Sequence, residues 1–209
     1  MDRKKVTVPD ILRMKKEGRK ITKINLHDYP TAVLADRAGV DMVMIGDSIG
    51  MVVLGYTNTL PVTMEEMIHH AKAVVRGAGK CLVVCDMPFM SYQTSVDEAI
   101  KNAGRLMKET CVDCVKMEGG VEIKEKVRAI VEAGIPVMGH IGLLPQRVSL
   151  EGKYRVQAVV PDALSRRRRL SFPGLSPKCL ANGFPGAIPF GNQPITSQPH
   201  RWREAGLTC

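Results

Sequence analysis

Residues 81–118 read CLVVCDMPFMSYQTSVDEAIKNAGRLMKETCVDCVKME, and they carry the clearest signal of the fold class. It opens on a short apolar run that ends at Asp86 and closes on a second run that ends at Glu118. Between the two runs, residues 95–109 carry apolar side chains at helical spacing. A strand, a helix and a second strand in this order predict parallel pairing in an α/β protein.

The same pattern recurs along the chain as far as about residue 145. Thr63 followed by Glu66 has the spacing of a helix-capping box, and Gly134 with Pro136 marks the end of a later helix. The pattern predicts five parallel strands within residues 20–145. The remaining apolar runs are at 21–26, 42–45 and 136–139, and the remaining predicted helices are at 30–39, 64–77 and 122–134.

Two α/β architectures fit this alternation, an open doubly wound sheet and a (β/α)₈ barrel. An open dinucleotide-binding sheet would show G-x-G-x-x-G after its first strand, but the chain reads His27-Asp-Tyr-Pro30 there. Barrel enzymes instead collect polar side chains at the carboxyl ends of several strands. Each apolar run here ends in such a residue, which favours a TIM-type barrel with about five βα units, hence incomplete; these residues are Asp28, Asp47, Asp86, Glu118 and His140.

The alternating pattern stops near residue 157, which divides the chain into a barrel domain, 1–157, and a tail, 158–209. The tail holds seven prolines, five glycines and the run Arg166–Arg169, so we expect it to be largely irregular. A run of arginines can bind nucleic acid. No aromatic stacking residues surround this one, so we interpret it as a solvated charge run and expect no nucleic-acid partner.

The composition is that of an ordinary globular protein, with 44% hydrophobic and 24% charged residues among 209. The net charge of +9 comes largely from the tail, because residues 1–157 carry 23 basic and 19 acidic side chains, a net of +4. No apolar stretch reaches the ~18 residues of a membrane helix, and the basic N-terminus lacks the apolar core of a secretory signal. We therefore expect a cytoplasmic protein with no membrane partner.

Six cysteines are present, and two of them, Cys81 and Cys85, lie within an apolar run that predicts burial. Cys111 and Cys114 have the C-x-x-C spacing of zinc or redox sites. No second pair follows, and Cys114 opens a predicted strand, so core packing is the favoured interpretation. We expect no disulfides in a reducing compartment.

Three of the strand-end residues are carboxylates, Asp47, Asp86 and Glu118. Side chains that converge at the top of a barrel would bring three like charges together and raise one another's pKa. A divalent cation removes that conflict, and an all-oxygen ligand set suits Mg²⁺. Aspartate at a strand end is also common for structural reasons, but three in succession favour a metal site.

Lys116 lies two residues before Glu118, so both side chains share one face of their strand. An inward ammonium group is unfavourable unless an anion meets it, which favours a small anionic substrate such as a carboxylate. The alternative is a simple ion pair between Lys116 and Glu118. Ser48 could donate a hydrogen bond to the same anion, and His140 is either a further substrate ligand or a structural histidine.

Five ordered motifs resemble the ketopantoate hydroxymethyltransferase family, also called 3-methyl-2-oxobutanoate hydroxymethyltransferase. The resemblance covers about residues 8–157, and its motifs are Gly46-Asp-Ser-Ile-Gly-Met51, Thr59-Leu-Pro-Val-Thr63, Cys85-Asp-Met-Pro-Phe-Met90, Val115-Lys-Met-Glu-Gly-Gly120 and Gly139-His-Ile-Gly-Leu-Leu-Pro-Gln146. It implies a (β/α)₈ barrel and transfer of a one-carbon unit from 5,10-methylenetetrahydrofolate to 3-methyl-2-oxobutanoate, in pantothenate synthesis. It also implies a homo-oligomer.

The resemblance assigns roles to the same side chains. Asp47, Asp86 and Glu118 would bind Mg²⁺, while Asp47, Ser48, Asp86 and Lys116 would contact the keto acid. The family's general base is a glutamate in a later motif similar to L-E-C-V-P, and no such motif follows residue 157. We therefore expect impaired activity, and the abrupt change suggests a shifted reading frame or an aberrant splice. The alternative is a non-catalytic remnant that binds keto acid and Mg²⁺ or associates with full-length members.

Overall fold

A computed structural model describes residues 3–152 and 187–189 of the chain. Six parallel strands pair in the order in which they occur along the chain. A doubly wound sheet reverses its strand order, whereas a barrel adds each strand beside the previous one. The predicted α/β fold of barrel type, incomplete, is therefore confirmed; its strands are β1 Lys23–Asn25, β2 Met42–Ile45, β3 Leu82–Asp86, β4 Cys114–Glu118, β5 Val137–His140 and β6 Ala187–Pro189.

Helices follow the strands as the sequence predicts, with small shifts at their ends. The helix expected at 122–134 divides into a 3₁₀ turn, Val121–Ile123, and a helix from Lys124, and a second 3₁₀ turn spans Pro145–Arg147. An N-terminal helix was not predicted. The α-helices are α1 Val8–Lys16, α2 Tyr29–Arg37, α3 Ile49–Val52, α4 Met64–Gly77, α5 Val96–Thr110, α6 Lys124–Glu132 and α7 Val148–Glu151.

Side-chain caps set the starts of four of these helices, and Thr7 caps the first, α1. The predicted capping box at α4 is present, with Thr63 and Glu66 each bonded to the other's main-chain N–H. Ser95 caps α5 in the same position. Asp28 caps α2 by accepting from the main-chain N–H of Thr31 at 2.8 Å. The polar residue at the end of β1 therefore starts a helix and does not join the other strand-end carboxylates.

Successive side chains of each strand point to opposite faces of the sheet, which produces two apolar layers. The outer layer lies between the strands and helices α2, α4, α5 and α6, and its strand residues are Val43, Ile45, Val83, Cys85, Val115, Met117 and Val137. The inner layer fills the concave interior of the sheet, and its strand residues are Met42, Met44, Leu82, Val84, Cys114 and Met138. Both layers are buried.

The N-terminal segment closes the interior at the amino ends of the strands. Ile11 and Met14 of α1 pack on the inner apolar layer, and the main-chain N–H of Val6 donates to the carbonyl of Lys80, just before β3, at 2.8 Å. The amino end of the interior is therefore apolar. Side chains two residues apart on a strand point to the same face. The inner-facing positions nearer the carboxyl ends of the strands therefore carry charged and polar side chains.

The segment that we expected to be irregular contributes one short strand. Residues 187–189 form β6 and pair with β5, while Arg166–Arg169 lie outside the described residues. The four cysteines that the structure describes are free thiols. Core packing is wrong for Cys111, which is exposed at the C-cap of α5 in a left-handed conformation, whereas Cys114 is buried. No helix in the described part of the chain is long and apolar enough to cross a membrane.

Candidate functional site

The register of β3, β4 and β5 brings two pairs of polar side chains together at the carboxyl ends of the strands. Asp86 lies beside Lys116 across the β3–β4 ladder, and Glu118 lies beside His140 across the β4–β5 ladder. Neighbouring residues on one face of a sheet have Cβ atoms about 5 Å apart. All four side chains therefore line one wall of the barrel interior, directly above the inner apolar layer.

Lys116 and Asp86 form a buried ion pair. The ammonium nitrogen of Lys116 lies 2.9 Å and 3.0 Å from the two carboxylate oxygens of Asp86, and both residues are buried. Burial lowers the pKa of Lys116, but the neighbouring carboxylates, Asp86 first, outweigh it and leave the pKa above its usual value. The alternative ion pair with Glu118 is wrong, because the anion that meets Lys116 is Asp86.

Glu118 is held by two groups that follow β4 in the chain. Its Oε1 lies 3.0 Å from Nδ1 of His140, and its Oε2 accepts from the main-chain N–H of Gln146 at 3.1 Å. His140 is only partly buried, whereas Glu118 is buried. The histidine therefore gives the buried carboxylate a partner that is itself partly accessible to solvent.

Asp47 lies in the loop after β2, next to the carboxylate of Asp86. Its main-chain N–H donates to Oδ2 of Asp86 at 3.3 Å, and its own Oδ2 accepts from the side-chain amide of Gln146 at 2.9 Å. Burial, together with the negative charges of Asp86 and Glu118, raises the pKa of Asp47 to about 7. The crowding of like charges expected from the sequence is therefore present at this residue.

Ser48 lies at the edge of the cluster, half-buried at the start of α3, and its side chain makes no capping bond. Gly46 is a residue that sequence reasoning missed. A Cβ at Gly46 would lie 3.0 Å from Oγ of Ser48 and 3.5 Å from Oδ2 of Asp86. The absent side chain leaves space between the Ser48 hydroxyl and the Asp86 carboxylate.

Sequence reasoning also missed Gln146. Its amide contacts Asp47 and its main-chain N–H contacts Glu118, so one residue joins two carboxylates that are far apart in sequence. It lies in a motif quoted for the family resemblance, Leu144-Pro-Gln146. A buried glutamine beside a Gly/Pro-rich turn was the available signal, but nothing local indicates its partners.

The donor chemistry of the cluster fits Mg²⁺, because Asp47, Asp86 and Glu118 offer carboxylate oxygens, the ligands that this ion prefers. Each of the three carboxylates is hydrogen-bonded to other groups of the protein. Within residues 3–152, no three His, Cys, Asp or Glu side chains form a group that could hold a metal ion. Mg²⁺ commonly takes one or two carboxylates and keeps several waters, so it does not need such a three-residue cage.

Residues 5–167 match the family model described as ketopantoate hydroxymethyltransferase. The chain belongs to this family. Its curated relatives include two proteins named 3-methyl-2-oxobutanoate hydroxymethyltransferase. The one from Moorella thermoacetica is 59% identical over 155 residues, which cover 74% of this chain and 58% of that protein. The one from Carboxydothermus hydrogenoformans is 58% identical over 157 residues, which cover 75% of this chain and 56% of that protein.

The match to the family extends ten residues beyond the boundary that we placed at 157. The chain spans a little less than three fifths of the length of these relatives. Each of the motifs that carry Asp47, Asp86, Lys116, Glu118 and His140 lies within the matched region.

Solved structures that resemble the chain show the fold alone. A phosphonopyruvate hydrolase solved with oxalate and Mg²⁺ aligns over 90% of this chain and 81% of that chain, with a TM-score of 0.58 and 13% identity. An oxaloacetate acetylhydrolase solved with oxalate aligns over 77% of this chain and 60% of that chain, with a TM-score of 0.50 and 13% identity.

Proposed function

We propose that the protein catalyses transfer of a hydroxymethyl group from 5,10-methylenetetrahydrofolate to 3-methyl-2-oxobutanoate, giving 2-dehydropantoate for pantothenate and coenzyme A synthesis. The observation that carries the proposal is the convergence of Asp47, Asp86, Lys116 and Glu118 at one end of the barrel interior. Membership of the family supports the reaction and its two substrates. The relatives' names support the keto acid as acceptor.

The keto acid would bind above the inner apolar layer. Asp47, Asp86 and Glu118 would hold Mg²⁺, directly or through water, and the bound ion would act as a Lewis acid toward the keto and carboxylate oxygens. Lys116 fixes the direction of the Asp86 carboxylate oxygens through the two contacts near 3 Å. Ser48 and His140, both only partly buried, are placed to donate hydrogen bonds to the substrate's oxygens.

Lys116 does not by itself require a substrate anion, because Asp86 already balances its charge. A substrate carboxylate would instead enter a site that contains three carboxylates and one ammonium group, so its net charge is negative when the carboxylates are ionised. A divalent cation would bring that balance to neutral or positive, which makes binding of an anionic keto acid dependent on the metal. Structurally similar proteins that bind the dicarboxylate oxalate do so on the same fold.

We also propose that turnover by this 209-residue chain is low. Residues that bind keto acid and metal fall within the family-like region, whereas the general-base motif of the family has no counterpart after residue 157. Loss of a positioned general base typically costs 10²–10⁴-fold in rate. A chain that binds keto acid and Mg²⁺ without turning them over is the second candidate.

The experiment is an assay of the purified chain with Mg²⁺, keto acid and methylenetetrahydrofolate beside the full-length Moorella thermoacetica relative. We expect product formation at least 100-fold slower than by the relative, with keto acid bound by both proteins in calorimetry. Asp86→Asn should abolish keto-acid binding. Binding that is equal with and without Mg²⁺, or that survives Asp86→Asn, would contradict the proposed site, and turnover equal to the relative's would contradict the proposed impairment.

A further inference from the structure

Gln146 has every side-chain polar atom engaged in a buried network. Its Nε2 donates to Oδ2 of Asp47 and to the main-chain carbonyl of Met87, each at 2.9 Å. Its Oε1 accepts from the hydroxyl of Tyr92 at 2.8 Å and from Nε2 of Gln93 at 3.0 Å. With its main-chain N–H on Glu118, the residue links the loops after β2, β3 and β5 to the end of β4.

The orientation of this amide is fixed by its partners. The carbonyl of Met87 can only accept, as can the carboxylate of Asp47 once it is ionised, so the NH₂ group faces both of them. A flipped amide would set its oxygen against both acceptors and lose two buried hydrogen bonds. Tyr92, which is 1% exposed, lies behind the amide oxygen and accepts from the main-chain N–H of Glu118 at 3.1 Å.

Two further hydrogen bonds connect this network to helices α5 and α6. The carbonyl of Gln93 accepts from the ammonium group of Lys126 on α6 at 2.7 Å. The carbonyl of Ser91 accepts from the buried side-chain amide of Asn102 on α5 at 2.7 Å. Helices α5 and α6 thereby hold the loop that carries Tyr92 and Gln93, and this loop holds Gln146.

We propose that Gln146 is a positioning residue that holds the carboxylates of Asp47 and Glu118 in the orientation required to bind Mg²⁺ and keto acid, with Tyr92 and Gln93 fixing its amide from behind. The inference deepens the proposed function and rests on it for the identity of the ligands. It assigns no chemistry to Gln146 itself, which touches the carboxylates and not the reacting atoms. Partners that orient metal ligands typically contribute 10–100-fold to metal affinity.

The first test compares Gln146→Met with Thr110→Val in the full chain. Thr110 is also buried, and its hydroxyl bonds the carbonyl of Leu106 and the main-chain N–H of Val112, outside the Gln146 network, so Thr110→Val is a control for loss of a buried polar group. We expect Mg²⁺ affinity, measured by calorimetry, to fall 10–100-fold in Gln146→Met and less than threefold in Thr110→Val. Unchanged affinity in Gln146→Met, or an equal fall in both variants, would overturn the proposal.

Tyr92→Phe tests the anchoring part of the proposal without emptying the core. Phenylalanine fills the same space but leaves Oε1 of Gln146 with Gln93 as its remaining side-chain donor. We expect a fall in Mg²⁺ affinity that is smaller than the fall in Gln146→Met. The same hydroxyl also lies 2.9 Å from the main-chain carbonyl of Glu118. A larger fall in Tyr92→Phe would therefore show that the tyrosine acts chiefly through the main chain of Glu118 and would overturn the assigned role of Gln146.

A spectroscopic measurement separates this inference from the proposed function. If the wild-type chain binds neither Mg²⁺ nor keto acid, the proposed function fails, and NMR still decides the position of Gln146. We expect its side-chain amide protons to exchange slowly with solvent, and the carboxyl ¹³C signal of Asp47 to shift in Gln146→Met but not in Thr110→Val. Rapid exchange in the wild type, or an unmoved Asp47 signal, would show that the amide does not hold the carboxylate.

Discussion

Lys116 gives both oxygens of a buried carboxylate a partner, and the stability of the site depends on that pairing. Lys116→Met would keep much of the side-chain volume but leave Asp86 buried without its cation. Breaking a buried pair from one side typically costs about 3–5 kcal/mol, far more than the pair itself contributes. We expect the free energy of unfolding in urea to fall by about that amount.

Lys5 supplies the matched control for this variant. It pairs with Asp113 at 2.7 Å, but its side chain is 42% exposed, and exposed pairs contribute only about 0–1 kcal/mol. Lys5→Met should therefore change the free energy of unfolding little. The double variant Asp86→Asn/Lys116→Met should recover part of the loss, since no unpaired buried charge remains. Equal losses in the two lysine variants would contradict the buried pair.

Asp47 predicts a pH dependence of stability because burial and its neighbours raise its pKa to about 7 in the folded chain, against 3.8 as the reference value. The folded state then holds a proton that the unfolded state has already lost between these two values. Stability must fall as pH rises from about 4 to about 7, and the total is on the order of 4 kcal/mol at 1.36 kcal/mol per pKa unit. Above about pH 7 this contribution stays constant.

Urea unfolding in metal-free buffer between pH 4.5 and 8 measures this dependence. Asp47→Asn has no proton to lose, so the decline should be largely absent from the variant. Mg²⁺ should restore stability to the wild type above pH 7, because a ligand that binds the ionised folded state stabilises it. A wild-type profile parallel to that of Asp47→Asn would show that Asp47 is already ionised at low pH.

The crossing of α2 and α4 depends on Gly77. A Cβ at this position would lie 2.7 Å from the Cβ of Ala32 and 2.7 Å from the carbonyl oxygen of Tyr29. Because one contact is with backbone, Gly77→Ala must push the helices apart, at a cost of about 1–3 kcal/mol. Gly104→Ala on α5 is the control, since a Cβ there meets nothing within 4 Å and should gain about 0.5–1 kcal/mol from helix propensity. Thermal unfolding measures both, and a stabilising Gly77→Ala would contradict the close crossing.

The elements that were predicted well carry their signals locally. The helix α4 begins and ends where the capping box and helical spacing place it, because Thr63 and Glu66 act on the adjacent main chain. The helix α1 was missed although it also has a capping box, formed by Thr7 and Asp10. Its segment is strongly basic, and no helix was predicted there, but the apolar pair Ile11 and Met14 packs on the inner apolar layer.

The incomplete sheet has consequences for the whole molecule. Within the described residues, β1 and β6 each pair on one side only, and Ile24 in β1 is 46% exposed. Strand edges that carry apolar side chains promote association between chains. We expect the purified chain to form larger species with increasing concentration in sedimentation velocity.

Ile24→Lys places a charge on this edge and should shift the distribution toward the monomer. Leu150→Lys is the control, because Leu150 is more exposed, at 84%, but lies on α7 and away from the strand. An equal shift in both variants would assign the association to general hydrophobic contact. No shift in Ile24→Lys would place the contact at another surface.

The alternation of strands and helices, the parallel pairing and the strand-end positions of Asp86, Glu118 and His140 could all be predicted from the sequence. They depend on periods of two and 3.6 residues and on signals read within a few positions. Which side chains become partners depends on the folded arrangement of the strands and loops. The register of β3 and β4 pairs Lys116 with Asp86 rather than with Glu118. The path of the chain brings Gln146 into contact with Asp47, which lies 99 residues earlier in the sequence. Such contacts are set by how strands and loops stack in three dimensions, and no local pattern encodes them.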